Sequence, residues 1–484
     1  MAGNESPFVV VGGDAAGLSA ASKLRREDPD RDVVVFEKGR WVSYAHCGTP
    51  YFVKGEVEKL TDLLSLSPDE VEERGIDLRR EHEVVGVSTD EKKVTVRGPD
   101  GEEFEQGYGD LLVATGARAA KPIEGAELDC VFTLHGLDSA AAVRALLTDP
   151  EDFTVDSLGG DGYVDEERAR RYGSTEPPET VAVVGGGYVG VEMVEAFSAW
   201  DVDVHVFQRS DHLIPGFGED VGERVGARLE DKGVDVHTGV EVAELGGEGG
   251  DGNGDGCVSE VVCSDGTAVD VEAALVGVGI LPNVEIVADD VELGESGAVS
   301  VDEYGRTSAE NVYAAGDCAE MRHVVTGEDA WVPLGLTANR AGRAIGATVA
   351  GEPTTVGGIA GTAVLKAFDI ECGRSGITDS EEARDAGYDP VAETITAGSR
   401  SGYYPGAKET TVRLLADRET ERLLGGSIVG EDRAAVRIDT IATALEAGMT
   451  VGEVERLDLA YAPPFSPVWD PVLVAAKVLN GKMG

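Results

Sequence analysis

The stretch Phe8-Val9-Val10-Val11-Gly12-Gly13-Asp14-Ala15-Ala16-Gly17 opens on four apolar residues and ends in a glycine-rich turn. An apolar-periodic segment begins at Leu18, so the pattern reads strand, tight turn, helix. A turn of this kind brings a pyrophosphate onto a helix N-terminus, the first unit of a dinucleotide fold. Gly12, Gly13, Ala16 and Gly17 are its candidate contacts. Asp14 departs from the pattern, standing where G-x-G-x-x-G has its middle glycine. The next strand, Val33 to Glu37, ends in a carboxylate able to accept from an adenosine ribose, with Lys38 beside it.

The unit recurs. Val181 to Val184 is a second apolar strand, Gly185-Gly186-Gly187-Tyr188-Val189-Gly190 is a complete fingerprint built on Gly185, Gly187 and Gly190, and a helix is expected from Val191 to Trp200. Two units imply two dinucleotides. The strand Val202 to Phe207 ends in Gln208 and Arg209 in place of an acid, which favours a ribose 2′-phosphate and so NADPH over NADH. Two further apolar strands end in Thr115-Gly116 and in Gly316-Asp317. Asp317 either faces the crevice at the end of a parallel strand or caps a following helix.

Composition narrows the class of function. The chain has 484 residues, with Asp+Glu 91 against Lys+Arg 41 and a net charge of -50. That sign excludes a nucleic-acid partner, because phosphate binding needs cations. Self-repulsion on this scale opposes compaction in dilute buffer, whereas at molar salt the screening length falls to about 3 Å. A halophile's cytosolic protein is therefore expected. No apolar run is long enough to span a membrane, and Met1 to Pro7 carries no secretory leader, which points to the cytoplasm. Six cysteines (47, 130, 257, 263, 318 and 372), none in a C-x-x-C pair, make neither a disulfide framework nor a metal site. Thr148 to Glu179 and Gly246 to Gly256 are acidic, polar or glycine-rich, and read as solvated insertions without a catalytic role.

Ser43-Tyr44-Ala45-His46-Cys47-Gly48-Thr49-Pro50-Tyr51-Phe52 carries the candidate chemistry. Pro50 suits a first helical turn, which sets Cys47 at a helix N-terminus where the dipole favours a thiolate. A buried, inert cysteine is the alternative.

Together these residues resemble the pyridine nucleotide disulfide oxidoreductase flavoproteins, across nearly the whole chain. The resemblance implies an α/β protein with two Rossmann-like domains and a C-terminal α+β dimerisation domain. FAD would be held by residues 1–120 and 291–355, NAD(P)H by 121–290, and dimer contacts by 356–484. Thr115 and Gly116 would form a turn between domains, and Asp317 would bind the flavin's ribityl chain. Relatives such as glutathione reductase carry a C-x-x-x-x-C pair where this chain has Cys47 alone, which places it with the single-cysteine coenzyme A disulfide reductases, NADH oxidases and peroxidases. His46 departs from that branch, which usually has asparagine there.

From about Gly357 the third domain has candidate strands at Ala363 to Phe368 and Thr410 to Ala416, and a helix through Ala434 to Ala447. By resemblance, Tyr461 and Tyr403, with Tyr404 as rival to the latter, would approach the other subunit's cysteine in a homodimer; as tyrosines they could equally be core or interface residues. Ser19, Lys23 and Arg26 follow i, i+4, i+7 spacing and share a helix face. Two cations there could hold the phosphates of coenzyme A or could simply be solvated. Ser43 and His46 complete the candidate substrate set. The expected activity is FAD-dependent reduction, by NAD(P)H, of coenzyme A disulfide or a related small disulfide. Oxidase or peroxidase chemistry through a cysteine sulfenic acid is the alternative, and Ala15 tells against it, occupying the place where those members carry a histidine. A flavin-bound redox sensor is the alternative outside catalysis.

Overall fold

The computed structural model describes residues 6–247 and 256–483. Most of the Met1 to Pro7 stretch, on which the expectation of no secretory leader rests, and most of the Gly246 to Gly256 insertion lie outside the described residues.

Strand β1 (Phe8–Val11), helix α1 (Ala15–Glu27) and β2 (Val33–Glu37) form the first unit. β1 is central in a five-stranded sheet, between β2 and Asp110–Val113, with Val312–Ala314 and Asp77–Arg80 at the edges. All four pairings are parallel. The unbroken Val runs follow from burial on both faces. Phe8 and Val10 pack with Leu18 and Leu24 of α1, whereas Val9 and Val11 pack with Val94 and Val96 of an antiparallel layer on the other side.

The second unit repeats the plan. Thr180–Val184 is central, flanked by Asp203–Gln208 and Ala273–Val276, with Asp235–Thr238 and Val131–Phe132 outermost, again all parallel. Its helix begins at Tyr188, inside the fingerprint and earlier than the spacing predicts, and ends at Ser198. The domains are joined by two short antiparallel strands, Ala117–Ala119 and Ile280–Pro282. The third domain is an antiparallel sheet in the order Ala363–Ala367, Ile370–Gly376, Leu423–Gly430, Glu409–Asp417, Pro390–Gly398. Helices Ile438–Glu446 and Pro471–Asn480 supply apolar residues to its core.

The Thr148 to Glu179 segment corrects the reading as a solvated insertion. It holds a helix, Glu166–Gly173, and buries Leu158, Val164, Ala169 and Tyr172. Tyr163 packs edge-on against Trp41 at 5.6 Å, and the Arg80 guanidinium lies 4.6 Å from its ring. Few apolar residues, diluted among acids, suffice here because they share one existing core with Trp41 and Phe132.

Among the described residues, no helix is long and apolar enough to cross a membrane, and no group of three or more His, Cys, Asp or Glu is arranged to hold a metal ion.

Candidate functional site

The two glycine turns show how tightly the backbone is drawn. Gly12 has φ +113, and a Cβ there would sit 2.1 Å from the Ala114 carbonyl oxygen; Gly185 has φ +105, and a Cβ would sit 2.4 Å from that of Gly277. Only glycine fits. A Cβ on Gly187 would meet nothing within 4 Å, so the second turn opens onto free space, room for a pyrophosphate.

Asp14 occupies the place in the first turn that Gly187 has in the second. Its carboxylate accepts from the Tyr44 N–H at 3.2 Å and lies 2.5 Å from His46 Nε2. The departure from the glycine fingerprint at Asp14 and the unexpected histidine at position 46 are thus partners. Partial burial works against charge on His46, but the Asp14 carboxylate, aided by Asp317 and Glu37, outweighs it and holds the imidazole above its ordinary value. The acid in the first glycine turn is thereby paired with an imidazole held towards its charged form. Tyr44 stacks on His46 with ring centroids 4.2 Å apart. A second histidine in the cleft, His135, approaches the Ala117 carbonyl at 2.5 Å and is driven down by burial and by His46.

Glu37 accepts from the Gly13 and Gly39 N–H groups at 2.9 and 2.7 Å, and burial pushes it up. Gln208 does the same in the second unit, accepting from Gly186 N–H at 2.8 Å with an uncharged amide. Arg209 is well exposed, with Glu241 at 3.9 Å. Thr115 and Gly116 bind Asn283 across the domain connection: Asn283 N–H donates to Gly116 O at 2.9 Å and its side chain donates to Thr115 O at 3.0 Å. Asp317 faces the cleft and is raised by burial; the next helix begins only at Gly335, so it is not a cap. Lys38 is exposed at the cleft.

Cys47 is exposed in a 3-10 turn, His46–Gly48, directly ahead of helix α2 (Thr49–Lys54), with Pro50 in the first turn. Six residues make a marginal helix on their own. Tertiary contacts hold α2: Phe52 and Val53 are fully buried, Trp200 Nε1 donates to Val53 O at 2.9 Å, and Arg144 donates to Phe52 O at 2.5 Å. Tyr51 O–H donates to Glu192 Oε1 at 3.0 Å. Lys54 Nζ reaches Glu195 at 2.7 Å; the same carboxylate receives Lys366 Nζ at 3.0 Å and the Phe368 N–H at 2.7 Å. Glu195, 6% exposed, therefore ties the cysteine helix and the third domain to the second. Burial raises Glu192 to about 7. Sequence reasoning missed both acids; their place on the helix behind the second glycine turn was the available signal.

One cleft of about 2330 Å³ connects both turns, Cys47, His46, Ser43, Glu192 and Asp317. Ser43, with φ +50, donates through its N–H to Gly13 O at 3.0 Å. Of the three helix-face candidates, Ser19 and Arg26 line this cleft, but Lys23 turns back onto Glu27 at 2.5 Å, the i,i+4 pairing that a chain rich in acids makes available. Arg74, Arg340 and Arg343 line the cleft instead. Arg340 and Arg343 belong to the Gly335–Val349 helix, which sequence reasoning missed. It packs so closely on α1 that a Cβ on Gly342 would lie 2.1 Å from Ala16 O. Ser19 Oγ lies 2.6 Å from Asn339 Oδ1.

Tyr403 and Tyr461 are not brought to Cys47 within the chain. They stand 81% and 58% exposed on the third domain, with Tyr404, Phe465, Val468 and Trp469 also exposed. Arg437, only 8% exposed, clamps both loops: it donates to Ser399 O at 2.8 Å and Phe465 O at 3.2 Å, and pairs with Asp470 at 2.9 Å.

Residues 6–334 match the pyridine nucleotide-disulphide oxidoreductase family, and residues 362–471 match that family's dimerisation domain. The chain belongs to this family. It is 39% identical over 477 residues to the NAD(P)H coenzyme A polysulfide/persulfide reductase of Pyrococcus horikoshii, covering 98% of each chain. It is 28% identical over 463 residues to the coenzyme A disulfide reductase of Staphylococcus haemolyticus, covering 95% of this chain and 96% of the relative. Among solved structures, an NAD-dependent persulfide reductase from A. fulgidus superposes with a TM-score of 0.88 at 33% identity, covering 98% of this chain and 83% of the other. Like its family, the protein is an oxidoreductase whose cofactors are FAD and NAD(P)H, and it carries the family's dimerisation domain.

Proposed function

We propose that this flavoprotein reduces the sulfur–sulfur bond of coenzyme A disulfide, or of a related coenzyme A-linked or small disulfide, working as a homodimer in the cytoplasm of a salt-adapted cell. The observation that carries the reading is Cys47: exposed, alone, and opening onto the cleft that both dinucleotide turns share. The coenzyme A-named relatives support the choice of substrate.

In this reading the first turn with Glu37, Thr115, Gly116 and Asp317 holds FAD, and the second with Gln208 and Arg209 holds NADPH in preference to NADH. The flavin, when bound, relays an electron pair from reduced nucleotide to sulfur. Cys47 thiolate attacks one sulfur of the disulfide, expels one thiolate and retains the other half as a mixed disulfide; two electrons then break that bond, returning Cys47 to thiolate and releasing the second half as a thiolate, and each released thiolate takes up one proton to leave as thiol. Helix α2, fixed by Glu192 and Glu195, keeps the sulfur at one position. His46, held towards its charged form by Asp14, offsets that carboxylate beside the pyrophosphate. Ser19, Arg26, Arg74, Arg340 and Arg343 supply hydroxyl and cationic contacts for coenzyme A phosphates. Tyr461 and Tyr403 of one subunit serve Cys47 of the other, donating to the departing thiolate.

Steady-state rates in molar salt with coenzyme A disulfide, oxygen and peroxide at equal concentration test this. The disulfide is expected to turn over fastest, and Cys47→Ser to abolish that reaction while leaving hydride acceptance intact. A faster oxygen or peroxide reaction, or a Cys47→Ser enzyme at full disulfide rate, refutes it.

A further inference from the structure

A second pair of sulfurs lies away from the cleft. Cys130 and Cys257 are 127 residues apart in the chain, yet their Sγ atoms are 3.5 Å apart. Both are free thiols, Cys130 buried and Cys257 exposed, and neither lines the cleft that holds Cys47.

The backbone presets this meeting. Asp129 and Cys257 are parallel bridge partners: Asp129 N–H donates to Gly256 O at 3.2 Å and Val258 N–H donates to Asp129 O at 3.0 Å. On its other side Cys130 is held by Ala274 N–H, which donates to its carbonyl at 2.9 Å. Cys130 lies one residue past the bridge partner of Cys257, and with strands about 4.8 Å apart and a rise of about 3.3 Å per residue that diagonal is about 5.8 Å, inside the range of Cα separations that a disulfide spans. Closing the sulfurs to the bonded distance of about 2.05 Å therefore needs side-chain movement and no change of register. Cys130 also adopts a left-handed backbone, φ +62, costly for a non-glycine residue and kept only where the surroundings impose it.

We propose that Cys130 and Cys257 form a reversible redox pair that is oxidised by small disulfides and reports the ratio of disulfide to thiol around the enzyme. In the first step Cys257 thiolate attacks a sulfur of RSSR, giving Cys257–S–S–R and RS⁻, which takes up the proton that Cys257 released. In the second, Cys130 gives up its proton and attacks the Cys257 sulfur; the Cys130–Cys257 bond forms, the bond to R breaks, and a second RSH departs. Two protein thiols lose two electrons, and one RSSR gains them. Burial and the neighbouring thiol push Cys130 up, so the exposed Cys257 reacts first. The pairing rests on the proposed function only for the identity of the oxidant, which is the same class of molecule as the substrate. Oxidised, the pair would tie the segment entering the nucleotide domain to the Val258–Cys263 strand.

The test uses full-length Cys47→Ser protein, which lacks the active-site thiol, so that failure of the pair and failure of the proposed reaction are read separately. The protein is equilibrated with mixtures of oxidised and reduced glutathione, acid-quenched, alkylated, and digested without reduction. A Cys130–Cys257 linked peptide is expected to rise with the disulfide-to-thiol ratio and to vanish with dithiothreitol. In Cys130→Ser, a glutathione adduct on Cys257 is expected to accumulate instead. The proposal is overturned if both cysteines remain alkylated at every ratio, if Cys257 keeps a stable adduct while Cys130 is present, if the link joins two chains, or if Cys130→Ser acquires no adduct.

Discussion

Replacing Glu195 by Gln perturbs the junction on which the position of Cys47 depends. The carboxylate is 6% exposed and holds Lys54 at 2.7 Å, Lys366 at 3.0 Å and the Phe368 N–H at 2.7 Å. Gln keeps the shape and one acceptor but removes the charge and turns an amide N–H₂ towards an ammonium. Breaking a fully buried pair costs about 3–5 kcal/mol. Here the lysine side chains retain 20% and 38% of their exposure, and Lys54 has a second partner in Glu56 at 2.5 Å, so both can relax towards water. The expected loss of stability is therefore about 2–3 kcal/mol, below that range. Because Lys54 ends the helix that Cys47 precedes, disulfide turnover is expected to fall on the order of tenfold, with reduction of the flavin by nucleotide unchanged. Chemical denaturation in molar salt and stopped-flow kinetics measure the two effects. A stability change within about 0.5 kcal/mol, the range of an ordinary surface substitution, together with full disulfide turnover would refute the idea that Glu195 fixes the site.

Gln208→Glu should shift preference from NADPH towards NADH, because a carboxylate at that strand end accepts from a free 2′-hydroxyl and repels a 2′-phosphate; an unchanged ratio of kcat/KM for the two nucleotides counts against the assignment. Glu192, raised from 4.5 to about 7 by burial, binds its proton more tightly in the folded protein, so its contribution favours folding below about pH 4.5 and is lost as pH rises through 7. Glu192→Gln should accordingly gain up to roughly 3 kcal/mol over the parent at pH 8 and nothing at pH 4, and denaturation curves at the two pH values that differ equally would contradict this. With a net charge of -50, the unfolding midpoint should climb between 0.1 and 2 M KCl, and a protein most stable in the dilute buffer would exclude salt adaptation.

What the sequence determined by itself is local and periodic. Two strand, glycine turn and helix units gave two dinucleotide domains, because a turn so tight that a Cβ would strike a carbonyl leaves its mark in the residues themselves. Pro50 marked the start of the helix behind Cys47, because its fixed φ suits a first turn, but only the fold decided that the thiol is exposed rather than buried. Tertiary structure alone decided what depends on meetings between distant residues. Asp14 and His46 each looked like an isolated departure until the fold put them 2.5 Å apart. Lys23, well placed on its helix face, turned back onto Glu27, while Arg340 and Arg343 came to the cleft from a helix whose packing on α1 depends on small residues far apart in the chain. The Thr148 to Glu179 segment looked solvated because its apolar residues are too sparse to form a core, and it is ordered because they join one built by other segments. Spacing along a chain fixes backbone conformation and shared faces; which charge neutralises which, and which sulfur meets which, is set by long-range packing that no local pattern encodes.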